Sequence, residues 1–324
     1  MLKQLFIIYA LSFSSILFSQ ELSLKVTGVS GLSFIENTEI NKYLRVFRGS
    51  EIHKEYRLKT QSNSQVEITI NRQVDRVGTI KCLENTTLLV NPSIYKKEDY
   101  RLSLSLLGGY IEVSIDKNIE SIVEIHTANT SSIVKGTQFE VAFAEDGSSI
   151  VLLKEGLIDI FTDDEERILN PKEAYINNIE KNSKVVKQDS DNNTIVFLNR
   201  CEESSRENYF LTIENLMQAM ENISYNNDLL PIHIENLNVN EETIKNMEMK
   251  MYRMLAANEG YYNSIVKLID SYPQEKNEMI TYGRKSYSLY YANQRAIAKM
   301  NSSIMKTREK FDKIKRKFDE RVYK

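Results

Sequence analysis

The sequence of 324 residues contains no tryptophan, only three histidines and only two cysteines. Few residues are therefore available for a metal site or for histidine-dependent catalysis, and Cys82 and Cys201 are too far apart to form a CxxC motif. The sequence also lacks a nucleophile elbow, a zinc-binding helix motif and a P-loop. A formal net charge of −3 argues against a dedicated nucleic-acid binder. We therefore expect no enzyme activity, no catalytic residue, no cofactor and no metal site.

An apolar run long enough for a transmembrane helix is also missing. The apolar segment Leu5–Phe18 has 14 residues, follows Lys3 and precedes Ser19, whereas a spanning helix needs about 20 apolar residues. This pattern predicts a signal peptide over residues 1–19, and a retained N-terminal anchor is the alternative. Because no cysteine lies near residue 20, we do not expect a lipid anchor. The expected location is periplasmic or exported, with no membrane span after cleavage.

Export to an oxidising compartment raises the question of a disulfide. Such a compartment permits a bridge between Cys82 and Cys201. The alternative, which we favour, is that Cys82 is a buried free thiol, because it follows the alternating run Val77–Lys81.

Glycine and methionine divide the chain into two parts. Nine of the 11 glycines lie at or before Gly156, and nine of the 10 methionines lie at or after Met217. This division predicts a β domain over residues 22–186, a linker over residues 187–205 and an α-helical domain over residues 206–324.

The first part shows the alternation of apolar and polar residues that is typical of strands with one buried face. Examples are Val66–Ile70, Leu102–Leu106 and Ile111–Ile115. The dipeptide Gly108-Gly109 predicts a turn between the last two of these strands, and Asp146-Gly147 predicts a hairpin further along the chain.

Two short segments of the β part are also similar to each other. Residues 109–113 and 156–160 both begin with glycine and share the order Gly, any residue, Ile, acid, aliphatic. Two copies are fewer than a repeat array needs. Either both segments are strand starts after a tight turn, or the strands stack in a solenoid-like arrangement.

One segment resembles a known family. The sequence from Val123 to Val141 ends in Lys135-Gly136-Thr137-Gln138-Phe139-Glu140-Val141 and is followed by Glu155-Gly156. It resembles the hallmark of FecR domains, and the resemblance extends over residues 40–178. It implies an all-β periplasmic interaction module, built as a solenoid or as stacked hairpins. Members of this family are best known as sensors in cell-surface signalling, where the periplasmic domain touches an outer-membrane receptor and a cytoplasmic segment controls a sigma factor.

The signature residues are expected to be structural. They are Thr127, Gly136, Thr137, Phe139, Val141, Glu155 and Gly156. A glycine at 136 permits a positive φ or a close backbone approach, the Thr137 hydroxyl can bond a neighbouring backbone group, and Phe139 and Val141 would face the core. His126, in the preceding strand, is expected to be a hydrogen-bonded structural group. Lys172 stands where the family has a turn glycine.

The second part of the chain has helical periodicity. Apolar residues recur at helical spacing over residues 210–223 and again over residues 244–255. Pro273 predicts the first turn of another helix that continues to the C-terminus, with a weak point at Gly283. From Ile297 to Phe318 the apolar residues follow a heptad pattern. This pattern permits a coiled coil, although we favour packing in an antiparallel bundle.

The C-terminal segment is strongly basic. Residues 284–324 contain 13 Lys and Arg but only four Asp and Glu, a net charge of +9. Such a run is usually a solvated face of a helix. The more specific hypothesis is that it is a surface for an anionic partner. The candidate residues of that surface are Lys306, Arg308, Lys310, Lys313, Lys315, Arg316, Lys317 and Arg321.

These observations lead to two functional hypotheses. The first is a non-enzymatic periplasmic or cell-envelope binding or assembly protein. Its partner would be another envelope protein or an anionic envelope polymer, not nucleic acid, and homo-oligomers could form through the C-terminal helix. The alternative is a periplasmic sensor in cell-surface signalling that acts through a separate membrane partner, of the type that regulates sigma factors.

Overall fold

The structure, a computed structural model, describes most of the chain up to residue 288. The described residues are 22–37, 42–72, 75–91, 101–117, 122–134, 136–162, 165–179, 183–189, 193–209, 211–220, 222, 241–271, 279–282, 285–288, 309, 313, 316 and 320. The predicted signal peptide and residues 289–308 lie outside this set.

The β part precedes the helical part, as the sequence predicts. The strands are β1 (Leu22–Ser30), β2 (Ser33–Asn37), β3 (Lys42–Arg45), β4 (Glu51–Ile52), β5 (Tyr56–Thr60), β6 (Gln65–Arg72), β7 (Asp75–Cys82), β8 (Thr87–Val90), β9 (Arg101–Ile115), β10 (Ile122–His126), β11 (Ser131–Val134), β12 (Gln138–Phe143), β13 (Ser149–Glu155), β14 (Ile158–Phe161), β15 (Glu166–Leu169), β16 (Glu173–Asn177), β17 (Ser183–Lys187), β18 (Met279–Tyr282) and β19 (Lys285–Ser288). The helices are α1 (Thr194–Glu207), α2 (residues 211–220) and α3 (Glu241–Ser271).

The first 17 strands form two sheets that share the long strand β9. Sheet I has the order β4-β1-β6-β7-β9-β12-β13-β16-β17. Sheet II has the order β3-β2-β5-β8-β9-β10-β11-β14-β15. Neighbouring strands are antiparallel except β9 and β10, which are parallel.

One apolar core lies between the inward faces of the two sheets. Sheet I contributes side chains such as Ile68 and Val113, and sheet II contributes Leu58, Leu104 and Ile125. All five are at most 1% exposed. Because side chains alternate across a strand, the neighbours of these residues lie on the outer faces of the sandwich.

The turn predicted at Gly108-Gly109 is a bend inside β9 instead. The register between β8 and β9 shifts at this point, and Gly109 has a φ of +88°. A Cβ at Gly109 would lie 2.6 Å from Cα of Thr86, so only glycine fits. The Thr86 hydroxyl donates to the carbonyl of Tyr110 at 3.0 Å and accepts from its N–H at 3.1 Å. The bend therefore moves β9 from sheet II to sheet I without ending the strand.

The hairpin predicted at Asp146-Gly147 is confirmed. Strands β12 and β13 pair with Phe143 opposite Ser149. Gly147 has a φ of +83°, and the Asp146 carboxylate accepts from the Ser148 N–H at 2.9 Å. The solenoid-like arrangement that the two glycine segments suggested remains a prediction.

The stretch predicted as a linker, residues 187–205, is mostly helix. Helix α1 begins at Thr194, where the Asn193 side chain accepts from the N–H of Val196 at 3.0 Å and caps the first turn. Phe197 and Leu198 then pack on an apolar cluster on the outer face of sheet I. The capping residue and the apolar pair together explain why the helix starts before residue 206.

The described helices are not a module separate from the sheets. Leu216 of α2 and Tyr261, Ile265 and Leu268 of α3 belong to the same core as the sheet residues. The Tyr261 ring lies 6.1 Å from the Phe143 ring. The second part of the chain therefore completes the core of the first.

The helix predicted from Pro273 to the C-terminus is wrong over its first part. Strands β18 and β19 form an antiparallel pair with Tyr282 opposite Lys285. Residues 280–282 and 287 include the β-branched and aromatic side chains that favour strands. Pro273 and Gly283 lie outside the described residues.

Among the described helices, none is both long and apolar enough to cross a membrane.

Candidate functional site

The outer face of sheet II carries charged and polar side chains, and α3 covers it. On β5, Leu58 points to the core, so Arg57 lies on the outer face. The same alternation places His126 of β10 on that face. Helix α3 contacts both residues: Glu259 pairs with Arg57, and the Tyr252 ring lies 5.2 Å from the His126 ring. This covered polar face is the main concentration of chemistry-bearing side chains in the described part of the chain.

The first cluster on this face joins β5, β2 and α3. Arg57 donates through Nη1 to Glu36 at 2.7 Å and through Nη2 to Glu259. Glu36 also accepts from Lys59 at 3.0 Å and from the Tyr43 hydroxyl at 2.9 Å. The side chains of Arg57, Glu36 and Glu259 are only 11%, 6% and 8% exposed. The cluster therefore encloses three charges and ties α3 to the sheet.

The second cluster joins β9, β10 and β11. Arg101 donates to Glu124, whose side chain is fully buried. The His126 ring is also fully buried, with Nδ1 at 2.8 Å from Oγ of Ser131 and Nε2 at 3.0 Å from Oγ of Ser103. Oε2 of Glu124 lies 3.5 Å from Nε2 of His126. His126 is thus a hydrogen-bonded structural group, as its place in the sequence suggested.

Burial and charge act against each other in setting the protonation states. Burial would raise the pKa of Glu36, but Arg57 and its other cationic neighbour outweigh burial and hold the pKa below its usual value. At Glu124, the hydrogen-bonding contact with His126 and the charge of Arg101 outweigh burial and lower the pKa as well. Burial lowers the pKa of His126. Near neutral pH we therefore assign both acids as carboxylates and the histidine as a neutral imidazole.

These clusters act as a joint between sheet II and α3. Glu36 and Glu259 each form an ion pair with Arg57, and Glu124 forms one with Arg101. The pair between Glu259 and Arg57 spans 202 positions of sequence. Removing one member of a buried ion pair typically costs about 3–5 kcal/mol, because the remaining charge stays buried without compensation. The covered face is therefore suited to holding the helix in place.

A comparable joint holds α1 on sheet I. Glu140 of β12 accepts from the Thr194 hydroxyl at 2.6 Å and from Lys154 at 2.5 Å. Burial would raise the pKa of Glu140, but its hydrogen bonds with Lys154, Thr194 and Tyr110 outweigh burial and lower it. The N-terminus of α1 is thus fixed by a carboxylate of the strand beneath it.

Of the signature residues, Thr127 closes the turn between β10 and β11. Its N–H donates to the carbonyl of Thr130 at 2.8 Å, and its hydroxyl accepts from the Thr130 N–H at 3.1 Å. Asn129 in this turn accepts from Ser149 at 2.6 Å and donates to the carbonyl of Asn177 at 3.0 Å. Through Asn129, the turn is therefore hydrogen-bonded to the first residue of β13 and to the last residue of β16.

The two signature glycines both have positive φ, at +62° for Gly136 and +91° for Gly156. A Cβ at Gly156 would lie 2.6 Å from Cγ2 of Thr137. The hydroxyl of Thr137, which we expected to bond a backbone group, is buried and has no hydrogen-bond partner among the described residues. Instead, the Thr137 carbonyl accepts from the N–H of Ile115 at 2.8 Å. The threonine thus packs its methyl group against the glycine backbone.

The remaining signature residues lie on β12 and β13. Phe139 and Val141 are fully buried in the core. Glu155 is 62% exposed and lies 3.4 Å from Nζ of Lys117, itself 68% exposed. Such an exposed pair contributes little to stability. Lys135, within the signature, lies outside the described residues.

Cys82 and Cys201 are both buried free thiols, so the bridge that export would permit is not formed. Cys82 lies in the core on β7, and burial raises its pKa to about 12. Burial and Asp146 raise the pKa of Cys201 as well. Neither thiol is suited to nucleophilic chemistry.

The structure describes two members of the basic surface. Lys313 and Arg316 are helical and exposed, as are Glu309 and Glu320. In the heptad with Ile304 at position a, these four residues fall at positions c and f, away from the apolar seam. The other six members, Lys306, Arg308, Lys310, Lys315, Lys317 and Arg321, lie outside the described residues, and the coiled coil stays a prediction.

No group of three or more His, Cys, Asp or Glu side chains within the described part of the chain is placed to hold a metal ion.

Local sequence patterns do not indicate the residues that hold α3 and α1 on the sheets. Arg57, Glu124 and Glu259 have no local motif, because each is one polar position in an alternating strand or a helix. The available signal was weak: a charged residue at every second position of a strand indicates which face is polar, but not that a helix covers it.

No protein-family model matches the chain, and no curated protein matches it. Two solved structures of a "putative anti-sigma factor" from Parabacteroides distasonis ATCC 8503 are similar. One, at 1.65 Å resolution, is 14% identical with a TM-score of 0.35, covering 42% of this chain and 61% of that chain. The other, at 2.50 Å resolution, is 16% identical with a TM-score of 0.31, covering 39% and 62%. Scores of this size do not establish a shared fold.

Proposed function

We propose that this chain is a non-enzymatic, exported binding protein of the cell envelope. Its FecR-like β domain and α3 form a rigid frame. The basic C-terminal segment binds an anionic envelope polymer or an acidic envelope protein.

The observation that carries this proposal is the contrast between two sets of charges. Arg57, Arg101 and their carboxylate partners are enclosed and paired inside the frame. Lys313 and Arg316 are exposed, in a segment of +9 on a chain whose total is −3. A concentrated positive patch on an otherwise acidic chain attracts polyanions.

The heptad pattern favours an anionic partner over a second copy of the chain. With Ile304 at position a, basic residues occupy positions e and g at Arg308, Lys310, Lys315 and Lys317. In a parallel pair of identical helices, these positions would face one another as like charges. An acidic surface would meet the same residues with attraction.

The test measures binding of the full chain to soluble polyglutamate and to vesicles containing phosphatidylglycerol. The Lys313→Glu/Arg316→Glu variant should bind polyglutamate or the vesicles about tenfold more weakly than the unchanged chain, because attraction is replaced by repulsion. Binding should also weaken as salt is raised, since exposed charges are screened.

A matched control reverses two exposed cations elsewhere. Lys184 and Lys187 of β17 are exposed and have the same spacing as Lys313 and Arg316. The Lys184→Glu/Lys187→Glu variant should bind nearly as well as the unchanged chain. Equal losses in both variants would mean that only net charge matters, and no binding to either probe would contradict the proposal.

The resemblance to FecR domains supports a second candidate, a periplasmic sensor that acts through a separate membrane protein. Cross-linking in cells distinguishes the two, because a sensor should give one discrete membrane-protein adduct. A polymer-binding protein should instead give heterogeneous adducts that are lost in the Lys313→Glu/Arg316→Glu variant.

A further inference from the structure

Strand β3 is an exposed edge of sheet II. Among the described strands only β2 pairs with it, and all four of its residues are exposed. Tyr43 and Leu44 are 55% and 50% exposed. An edge strand with unpaired backbone groups can accept a further strand.

The register shows which backbone groups face outward. The N–H of Val46 donates to the carbonyl of Ser33 at 2.9 Å. In an antiparallel pair, hydrogen-bonded positions alternate, so Leu44 and Lys42 direct their backbone groups toward β2. The N–H and C=O groups of Tyr43 and Arg45 therefore point away from the sheet and are positioned to pair with an added strand.

Apolar side chains are concentrated around this edge. Of the nine large hydrophobic residues that are exposed in the described part of the chain, four lie between residues 32 and 47. Besides Tyr43 and Leu44 they are Leu32, at 40%, and Phe47, at 60% exposed. Leu32 precedes β2 and Phe47 follows β3, so the two lie at the same end of the β2–β3 pair. A clustered apolar patch is typical of an interaction site.

The edge is also positively charged and partly ordered in advance. Lys42, Arg45 and Arg48 are exposed and form no ion pair with another described residue. Arg45 lies 5.7 Å from the centre of the Phe47 ring. Tyr43 is fixed by its hydrogen bond to Glu36, described above, so its ring is held in place before a partner binds.

The charges identify the kind of partner. A second copy of β3 would bring its own Lys42, Arg45 and Arg48 to an edge that already carries these three cations, and like charges on neighbouring strands are destabilising. A strand with acids opposite Lys42 and Arg45 and apolar residues between them would complement the edge. We propose that β3 binds an extended segment of another protein with the pattern acid-apolar-apolar-acid, by addition of a strand to sheet II.

The residues of this edge all belong to the β domain, and none of them is part of the basic C-terminal segment. The inference therefore does not depend on the proposed function. Binding of a strand at β3 and binding of a polyanion by the C-terminal segment can each be disproved without affecting the other.

The test uses the full chain and a fluorescent capped peptide with the central sequence Glu-Val-Ile-Glu, followed by anisotropy. A peptide with Lys-Val-Ile-Lys at the centre is the charge-reversed probe. The Lys42→Glu/Arg45→Glu variant should bind the acidic peptide about tenfold more weakly than the unchanged chain and should gain affinity for the basic peptide.

Two further variants separate strand pairing from charge. Arg45→Ala removes the charge alone, whereas Arg45→Pro removes both the charge and the outward N–H, which edge strands tolerate. We expect Arg45→Pro to bind the acidic peptide at least threefold more weakly than Arg45→Ala. Equal affinities would mean that the backbone takes no part and would overturn the proposal.

The edge strand β17 supplies the matched control. Its Lys184 and Lys187 have the spacing of Lys42 and Arg45, but Val186 between them packs against the apolar cluster under α1. The Lys184→Glu/Lys187→Glu variant should keep its affinity for the acidic peptide. The proposal is wrong if this variant loses as much affinity as Lys42→Glu/Arg45→Glu, or if the unchanged chain binds both peptides equally.

Discussion

Replacing Arg57 by alanine removes the cation that Glu36 and Glu259 share under α3. Both carboxylates would then remain almost fully enclosed, with exposures of 6% and 8%. Breaking a buried pair typically costs about 3–5 kcal/mol. Lys59 lies 3.0 Å from Glu36 and compensates one of the two carboxylates, so we expect a loss of about 3 kcal/mol, the lower end of that range.

The measurement is urea unfolding followed by circular dichroism. The control is Lys117→Ala, which breaks a pair whose side chains are 68% and 62% exposed. That variant should change the free energy of unfolding by less than about 0.5 kcal/mol. The difference between the two variants isolates the effect of burial on an ion pair.

A third variant tests whether charge, rather than packing, causes the loss. Replacing the three charged residues together, by Glu36→Gln, Arg57→Met and Glu259→Gln, leaves side chains of similar size without an enclosed charge among them. Lys59 loses its contact with the Glu36 carboxylate, but its side chain is 31% exposed and is partly hydrated. This variant should regain most of the stability that Arg57→Ala loses. Two results would contradict this expectation: Arg57→Ala loses no more free energy of unfolding than Lys117→Ala, or the triple variant is as unstable as Arg57→Ala.

Three further predictions concern single positions. Burial lowers the pKa of His126 in the folded chain, so below the ordinary value of 6.5 the unfolded state binds more protons than the folded state; stability should fall as the pH is lowered there, by at most about 1.4 kcal/mol per pH unit. In pH-dependent urea unfolding, His126→Gln should remove this slope and His53→Gln should keep it. Gly156 and Gly49 have the same φ, +91° and +92°, but only at Gly156 would a Cβ come within 3 Å of a neighbour; Gly156→Ala should therefore lower the melting temperature more than Gly49→Ala. Lys172 has a φ of +67°, so Lys172→Gly should stabilise the chain by up to about 1 kcal/mol in the same assay, and a loss of stability would contradict that expectation.

Local signals predicted the parts of the fold that depend on local geometry. Asp146-Gly147 specifies a hairpin because glycine accepts the positive φ of the turn. Alternation along β6 and β12 correctly placed Ile68 and Phe139 in the core. These features depend on a few neighbouring residues, which is why the sequence reveals them.

Features that depend on distant contacts could not be predicted. The bend in β9 has the local signal of a turn, and what keeps the strand continuous is Thr86, 24 positions before Tyr110. The ion pair between Arg57 and Glu259 spans 202 positions. Nothing near either residue in the sequence indicates that a helix covers that face of the sheet.

We propose that the sheets and α3 form one folded unit and that the basic C-terminal segment binds the anionic partner. Hydrogen exchange of the full chain, with and without polyglutamate, tests this proposal most directly. We predict that α3 and β9 exchange equally slowly in both conditions and that polyglutamate protects amides only within residues 284–324. If α3 exchanges fast while β9 is protected, the sheets and α3 do not form one folded unit. If polyglutamate protects amides only in α3 and sheet II, the basic C-terminal segment is not the binding site.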